Sequence, residues 1–259
     1  MFPYVIIFGK TIGIYGVLSC IGALAAAFLL YYLLGKRSER SVDDMILFFL
    51  FVGGGLLFGG HLLYGITNFR EWGRLISISE SVQFRAAFYE IFGGSVFYGG
   101  LIGGAVCGVL GTRLLKLDTR LYADGMAVSA PFFHFFGRIG CFFAGCCYGI
   151  ESEFGFVLNG VRRFPVQLLE ATVNLLIATF LFVLYIKRKN QGTLFFLYLA
   201  IYALVRFLDE FLRGDPIRGF VLGLSTSQFI SIFVELFALG ALLYCWHFKR
   251  HDRKEQKAL

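Results

Sequence analysis

The stretch HFFGRIGCFFAGCCYG, residues 134–149, sets one arginine and three cysteines in a run that is otherwise aromatic, aliphatic or glycine. A guanidinium is permanently charged, and its rigid fork of donors matches phosphate bidentately. A second arginine, Arg206 in YALVRFLDEFLRGD (202–215), stands in an equally apolar setting with Glu210 four residues on. Turned inward together, Arg138 and Arg206 make an anion site whose contacts are strengthened by low dielectric. The bland alternative is structural pairing: Arg206 with Glu210 on one helix face, and Arg138 with Asp124 or Glu170 from another helix. A paired arginine still exchanges partners when a phosphate arrives, so the two readings coexist.

The cysteines offer a second chemistry. Cys141 follows Arg138 by about one helical turn, so its thiolate would be stabilised, and Cys141, Cys146 or Cys147 becomes a candidate nucleophile or acyl carrier. Thiolates also ligate zinc, but the C-x4-C-C spacing does not match the usual C-x2-C pairs and the sequence holds no second ligand cluster. No metal and no cofactor is therefore expected. Cys20, Cys107 and Cys245 read as packing residues, and so do the isolated His61 and His134.

What must position these residues is a membrane protein. The chain has 259 residues, 58% hydrophobic, 18% aromatic and 16% charged, with a mean hydropathy of +0.72; soluble domains carry roughly 25% charge. Seven apolar stretches reach spanning length, about 20 residues of helix for a core of about 30 Å. They centre near 11–35, 44–66, 91–115, 121–145, 166–187, 193–213 and 226–246. The fold expected is an all-α polytopic protein of about seven transmembrane helices, a single domain over 1–259. The first stretch reads as a retained helix, because only Lys10 precedes it and no small-residue cleavage pattern follows.

Alternate loops divide the 24 Lys and Arg unevenly, fourteen on one side and eight on the other, with Arg138 and Arg206 inside spans. The richer side is expected to be cytoplasmic. That puts the amino terminus outside and the carboxyl terminus, with the basic tail 249–259, in the cytoplasm. The net charge of +7 then belongs to loops facing anionic headgroups, and no nucleic-acid partner is expected. The longest exterior segments are 67–90 and 146–165. Gly55 and Gly59 share a helix face, as do Gly100, Gly104 and Gly108, the spacing that lets helices approach closely in lipid. The doubled glycines of SVFYGGLIGG (95–104) also fit backbone that must come near something else.

An ionisable group inside a span costs about 2.5 to 3.5 kcal/mol on insertion scales, so each is a functional candidate. Those groups are His61, Glu90, Asp124, His134, Arg138, Glu170, Arg206, Asp209, Glu210 and Glu235.

With these residues in view, GRIGCFFAGCCYG resembles the GRxGNFxNxExxG signature of the prolipoprotein diacylglyceryl transferase family. IYGVL (14–18), FGGHLLYGITN (58–68), VFYGGLIGG (96–104), RFPVQLLE (163–170), VRFLDEFLR (205–213) and LSTSQFISI (224–232) are similar, in order, to further segments of that family. The resemblance implies seven spanning helices, the same topology that the charge count gives, and a site opening toward the outer leaflet. It implies transfer of an sn-1,2-diacylglyceryl group from phosphatidylglycerol, a membrane lipid, to the lipobox cysteine of a preprolipoprotein in the bacterial plasma membrane. A thioether forms and glycerol 1-phosphate leaves. By the same resemblance Arg138, Arg206, Tyr98 and Tyr15 are the catalytic candidates, with Gly99, Gly100, Gly149, Gln167, Glu210 and Gln228 as substrate-binding candidates. Arg206 is assigned to the departing phosphate and Arg138 to the headgroup. The chain departs from the family pattern in Tyr98 for a histidine, Cys141 for an asparagine, Cys146 for a glutamate and His61 for an arginine. A diverged paralogue acting on another lipid or thiol, and a non-catalytic lipid-binding or transport protein on the same helices, are the competing readings.

Overall fold

The computed structural model describes residues 3–7, 9–35, 41–77, 81–187, 192–215, 220–221 and 223–258. Side chains at 7, 74, 76, 77, 81, 97, 98, 220, 221 and 248–258 lie outside that description. Nine α-helices carry the described chain: α1 Ile14–Gly35, α2 Val42–Thr67, α3 Trp72–Ser77, α4 Ser81–Phe92, α5 Phe97–Leu114, α6 Thr119–Ala144, α7 Val166–Ile186, α8 Leu194–Asp209 and α9 Thr226–Ala258. Three antiparallel hairpins join them: β1 Tyr4–Ile7 with β2 Lys10–Gly13, β3 Glu151–Leu158 with β4 Val161–Arg163, and β5 Phe220–Val221 with β6 Leu224–Ser225.

Each of the seven apolar stretches holds a helix. Among the described residues, five helical segments are long and apolar enough to cross a bilayer: α1, α2, α6, α7 and Thr226–His247 of α9. The apolar part of α5, Gly99–Leu114, is shorter, and α8 has 16 residues, about 24 Å of helix. The outward faces are apolar, with Leu24 73%, Leu57 68% and Leu236 64% exposed, as befits surfaces solvated by lipid. The protein is thus an all-α polytopic membrane protein whose strands are confined to short connections.

Two segments read from sequence as exterior loops contain regular structure. Residues 67–90 hold α3 and most of α4, while the stretch 91–115 begins inside α4 and breaks at Gly93–Gly94 before α5. Arg85 and Glu90 dilute the apolar pattern of α4, so periodicity alone did not mark it. Residues 146–165 hold the β3–β4 hairpin, turned by Asn159 at φ 51° and Gly160 at φ 80°. An Asn-Gly pair with both φ positive is the turn whose twist matches paired strands.

Contacts group the chain into two compact units, residues 37–122 and residues 1–36 with 123–259. The 37–122 unit is built on α2 and α5. Ser41 caps α2 by accepting from the Asp44 amide at 3.2 Å, and Asp43 and Asp44 complement the positive end of the helix dipole. The glycines then let two backbones touch: a Cβ on Gly59 would strike the Gly99 carbonyl, and one on Gly55 the Gly103 carbonyl. Gly100 and Gly104 face Leu56, and Gly108 faces Val52. Of the two glycine rows expected from sequence, Gly55 and Gly59 on α2 therefore face α5, and Gly100, Gly104 and Gly108 on α5 face α2. His61 fixes the α4–α5 turn, its Nδ1–H donating to the Phe92 and Gly94 carbonyls at 2.9 and 2.8 Å.

The other unit combines α1, most of α6, and α7 to α9. Leu30, Leu33 and Leu34 are fully buried, Gly22 accommodates Phe133 and Phe136, and the Tyr185 hydroxyl donates to the Leu33 carbonyl at 3.2 Å. Asp124 accepts from the Gly192 and Leu194 amides at 2.5 and 2.9 Å, placing a carboxylate on the amino-terminal end of α8. It is therefore not the counterion of Arg138.

Candidate active site

The carboxyl-terminal end of α6 is where the chemistry collects. Arg138 Nε bonds Glu170 Oε2 of α7 at 2.5 Å, with 19% and 3% of the side chains exposed, so the structure selects Glu170 as its partner. Burial of such a pair demands close geometry, because both ions lose their water. Only Nε is engaged among the described residues; both terminal amines of Arg138 stay available. One turn on, Asn174 Nδ2 donates to the Glu170 carbonyl at 2.8 Å, and one turn before Arg138, His134 Nδ1 lies 3.4 Å from the Tyr198 hydroxyl.

Arg206 is held at one end. Its Nη2 contacts Glu210 Oε2 at 2.7 Å and donates to Ser227 Oγ at 2.9 Å, while its buried Nη1 has no hydrogen-bond partner among the described residues. Buried polar groups are ordinarily satisfied, so this donor marks a position that something polar should fill. Asp209 feels Glu170, Arg206, Arg138 and Arg213 electrostatically, which joins both arginine pairs into one charged cluster.

Arg213 is a member that the sequence reading counted only as a loop charge. Its Nε and Nη2 grip Asp215 bidentately at 3.0 and 2.8 Å. Burial works against its charge, but Asp215 keeps its pKa raised. The R-x-D spacing in LRGD was the available signal.

Gly149 is the seam of this end of the unit. It bridges Arg213 in antiparallel fashion, and a Cβ there would strike the Phe164 carbonyl and approach the Leu212 carbonyl at 3.0 Å. Neighbouring bonds complete the seam: Ile150 N to Leu212 O at 3.0 Å, Gly214 N to Tyr148 O at 3.0 Å and Phe164 N to Ile150 O at 2.9 Å. Arg163 lies 4.3 Å over the Tyr148 ring, a cation–π contact.

Tyr15, in the first turn of α1, abuts Gly140, its ring carbon 3.1 Å from where a Cβ would sit, and it interacts with Cys141, Cys146 and Arg138. Gln167, fully buried, donates from Nε2 to the Cys146 carbonyl at 2.8 Å. Gln228 enters a reciprocal cap: its Oε1 accepts from the Ser225 amide at 3.1 Å and its amide donates to Ser225 Oγ at 3.1 Å. That is a capping box at the start of α9.

The three thiols stand beside this cluster. Gly145, at φ 71°, ends α6 with the Gly145 amide donating to Phe142 O and the Cys146 amide to Cys141 O, both at 3.2 Å. This paired pattern around a left-handed glycine is a Schellman turn, and it folds Cys146 back over Cys141. The sulfurs of Cys141, Cys146 and Cys147 all lie within 4.8 Å of one another. Hydrogen bonds from the Cys141 and Cys146 thiols push the Cys147 pKa down, against its burial, and Arg213 and Arg138 add to the effect.

One unit thus brings together Tyr15, Arg138, Gly149, Gln167, Arg206, Glu210 and Gln228. Tyr98, Gly99 and Gly100 belong to the other, on the first turn of α5. Gly99 and Gly100 are buried against α2, and the Tyr98 side chain lies outside the described residues.

A family model for "Prolipoprotein diacylglyceryl transferase" matches residues 3–246. A Clostridium tetani protein named phosphatidylglycerol–prolipoprotein diacylglyceryl transferase is 37% identical over 240 residues, covering 88% of this chain and 90% of its own. A Clostridium perfringens protein named phosphatidylglycerol–prolipoprotein diacylglyceryl transferase 2 is 37% identical over 250 residues, 92% of each chain. A Campylobacter hominis protein with the same name as the first is 27% identical over 264 residues, 97% of this chain and 92% of its own.

Proposed function

Because this chain belongs to the prolipoprotein diacylglyceryl transferase family, we propose that it transfers the sn-1,2-diacylglyceryl group of phosphatidylglycerol to the lipobox cysteine of a preprolipoprotein. The observation that carries this reading is the half-engaged state of two half-buried guanidiniums: Arg138 bonded through Nε alone and Arg206 with Nη1 unpartnered among the described residues. Each is fixed by a carboxylate and still has donors for a phosphodiester.

The acceptor cysteine gives up its proton to water and attacks the glycerol carbon next to the phosphate as a thiolate; a C–S bond forms, and the C–O bond breaks with its electron pair passing to the phosphate oxygen. Charge grows on the leaving phosphate during that step, and donors fixed in advance stabilise it most. Arg206, anchored by Glu210 and Ser227, takes the departing phosphate; Arg138, anchored by Glu170, binds the headgroup; Tyr15 borders the same end of α6. Tyr98 acts as a positioning hydroxyl, since a phenol with pKa near 10 is a poor base at neutral pH. The protein works in the bacterial plasma membrane, amino terminus outside and carboxyl terminus cytoplasmic, with its site facing the outer leaflet where a lipid keeps its tails in the bilayer.

The test incubates the purified protein in phosphatidylglycerol-containing micelles with a lipobox peptide. Mass spectrometry is expected to find a diacylglyceryl adduct on the peptide cysteine and released glycerol phosphate. No adduct, on a peptide that the Clostridium tetani relative does modify, overturns the reading.

A further inference from the structure

The lipid chemistry above leaves Cys141, Cys146 and Cys147 without a role, yet the backbone is arranged to bring them together. The Schellman turn at Gly145 returns Cys146 to Cys141, and Cys147 holds φ 54°, a left-handed conformation that a residue with a Cβ rarely adopts and that needs support from its surroundings. Support is present: the buried Gln167 grips the Cys146 carbonyl at 2.8 Å. The three sulfurs converge within 4.8 Å. In a tetrahedral zinc site with Zn–S near 2.3 Å, sulfurs stand about 3.8 Å apart, so closure by about an ångström completes the geometry. Cys141 is buried, Cys147 half-buried and Cys146 exposed, so the cluster has an open side. Three protein ligands with a fourth position open is the arrangement of reactive rather than structural zinc.

We propose that Cys141, Cys146 and Cys147 hold one Zn2+ ion whose fourth position receives the acceptor cysteine as a thiolate. This rests on the transferase reading. Transfer needs a thiolate, and a thiol ordinarily titrates near 8.5. Coordination removes the thiol proton outright. On binding, the acceptor S–H releases its proton to water; the zinc-bound sulfur then uses its electron pair to form the C–S bond as the phosphate leaves with the C–O pair. The ion stays Zn2+ and nothing is oxidised or reduced. Four thiolates on Zn2+ carry an excess of two negative charges. Arg138, three residues before Cys141, and Arg213, which interacts with Cys147, lower that charge in part, each being shared with its own carboxylate.

The experiment uses the full-length protein purified in detergent with Zn2+. One zinc per chain is expected, with X-ray absorption reporting three sulfurs at about 2.3 Å and a fourth when lipobox peptide is added. Chelation should lower transfer at least tenfold at neutral pH, and Zn2+ should restore it. Cys146→Ala, at an exposed position, should lower the sulfur count to two and weaken zinc retention more than tenfold, while the zinc-free variant and the zinc-free parent melt at the same temperature. Protein that transfers at full rate while holding no zinc, or a disulfide among the three cysteines in active protein, overturns the zinc site and leaves the transferase reading standing. Zinc on three sulfurs with no transfer under any condition overturns the transferase reading and the thiol activation with it.

Discussion

The two units treat a lack of water in opposite ways. In residues 37–122 the chain removes side chains so that backbone meets backbone: Gly55, Gly59, Gly99 and Gly103 put α2 and α5 in direct contact. In the other unit it keeps charged side chains and pairs them, Arg138 with Glu170, Arg206 with Glu210 and Arg213 with Asp215. The first solution is complete in itself, since a glycine face carries no side-chain polar group to satisfy. The second leaves donors open at Arg138 and Arg206, and open donors are what a ligand can use. Glycine packing is therefore where the fold is made firm, and the arginine pairs are where it is made receptive.

Arg206→Ala should break this contrast most severely. Removing a donor aimed at a charge that develops during reaction costs about 10³ in rate, so transfer to a lipobox peptide should fall by that order while the variant still inserts and purifies in normal amount. Wild-type transfer by the inserted variant would mean that Arg206 is only a structural partner of Glu210. Glu170→Gln comes next. It keeps the shape and removes the charge that aims Arg138, and misplacement of a positioning group by an ångström can lower a rate about 10²-fold. Partial recovery in Glu170→Asp is expected, measured in the same assay.

The glycine unit should respond in stability rather than in chemistry. In Gly59→Val the new Cβ meets the Gly99 carbonyl and the Gly103 Cα, both backbone, so α2 and α5 must separate. Overpacking of this kind costs about 3 kcal/mol, expected as a clear fall in the thermal unfolding midpoint in detergent. An unchanged midpoint would show that α2 and α5 tolerate separation and that their glycines were kept for another reason.

How far sequence reached follows the same division. Apolar length located a helix in each of the seven stretches, and the i, i+4 glycine rows marked faces suited to close helix approach, because both are local patterns with one physical meaning; that α2 and α5 are the helices that meet comes from the fold. Arg138 and Arg206 stood out for an equally simple reason, a permanent charge in an apolar run. Which carboxylate answers Arg138 did not follow from sequence: Asp124 and Glu170 were equal candidates, and only the fold shows Asp124 capping α8. The meeting of the three cysteines was hidden for the same reason. Their spacing matches no common metal motif, and a helix-ending turn at Gly145, not a hairpin, supplies the approach.

Gln228 gives the smallest and sharpest measurement. Resemblance made it a substrate-binding residue, whereas its side chain and amide are both engaged with Ser225 in a capping box. A cap contributes about 1 kcal/mol to helix stability and touches the reaction only by holding the start of α9, where Ser227 meets Arg206. Gln228→Ala should therefore lower the unfolding midpoint slightly and leave the KM for phosphatidylglycerol within twofold of wild type. Gln228→Glu, which keeps an acceptor for the Ser225 amide, should restore the midpoint. A tenfold rise in KM with no change in the midpoint would instead place Gln228 against the lipid. The receptive part of the molecule would then extend beyond the arginine pairs to the cap of α9.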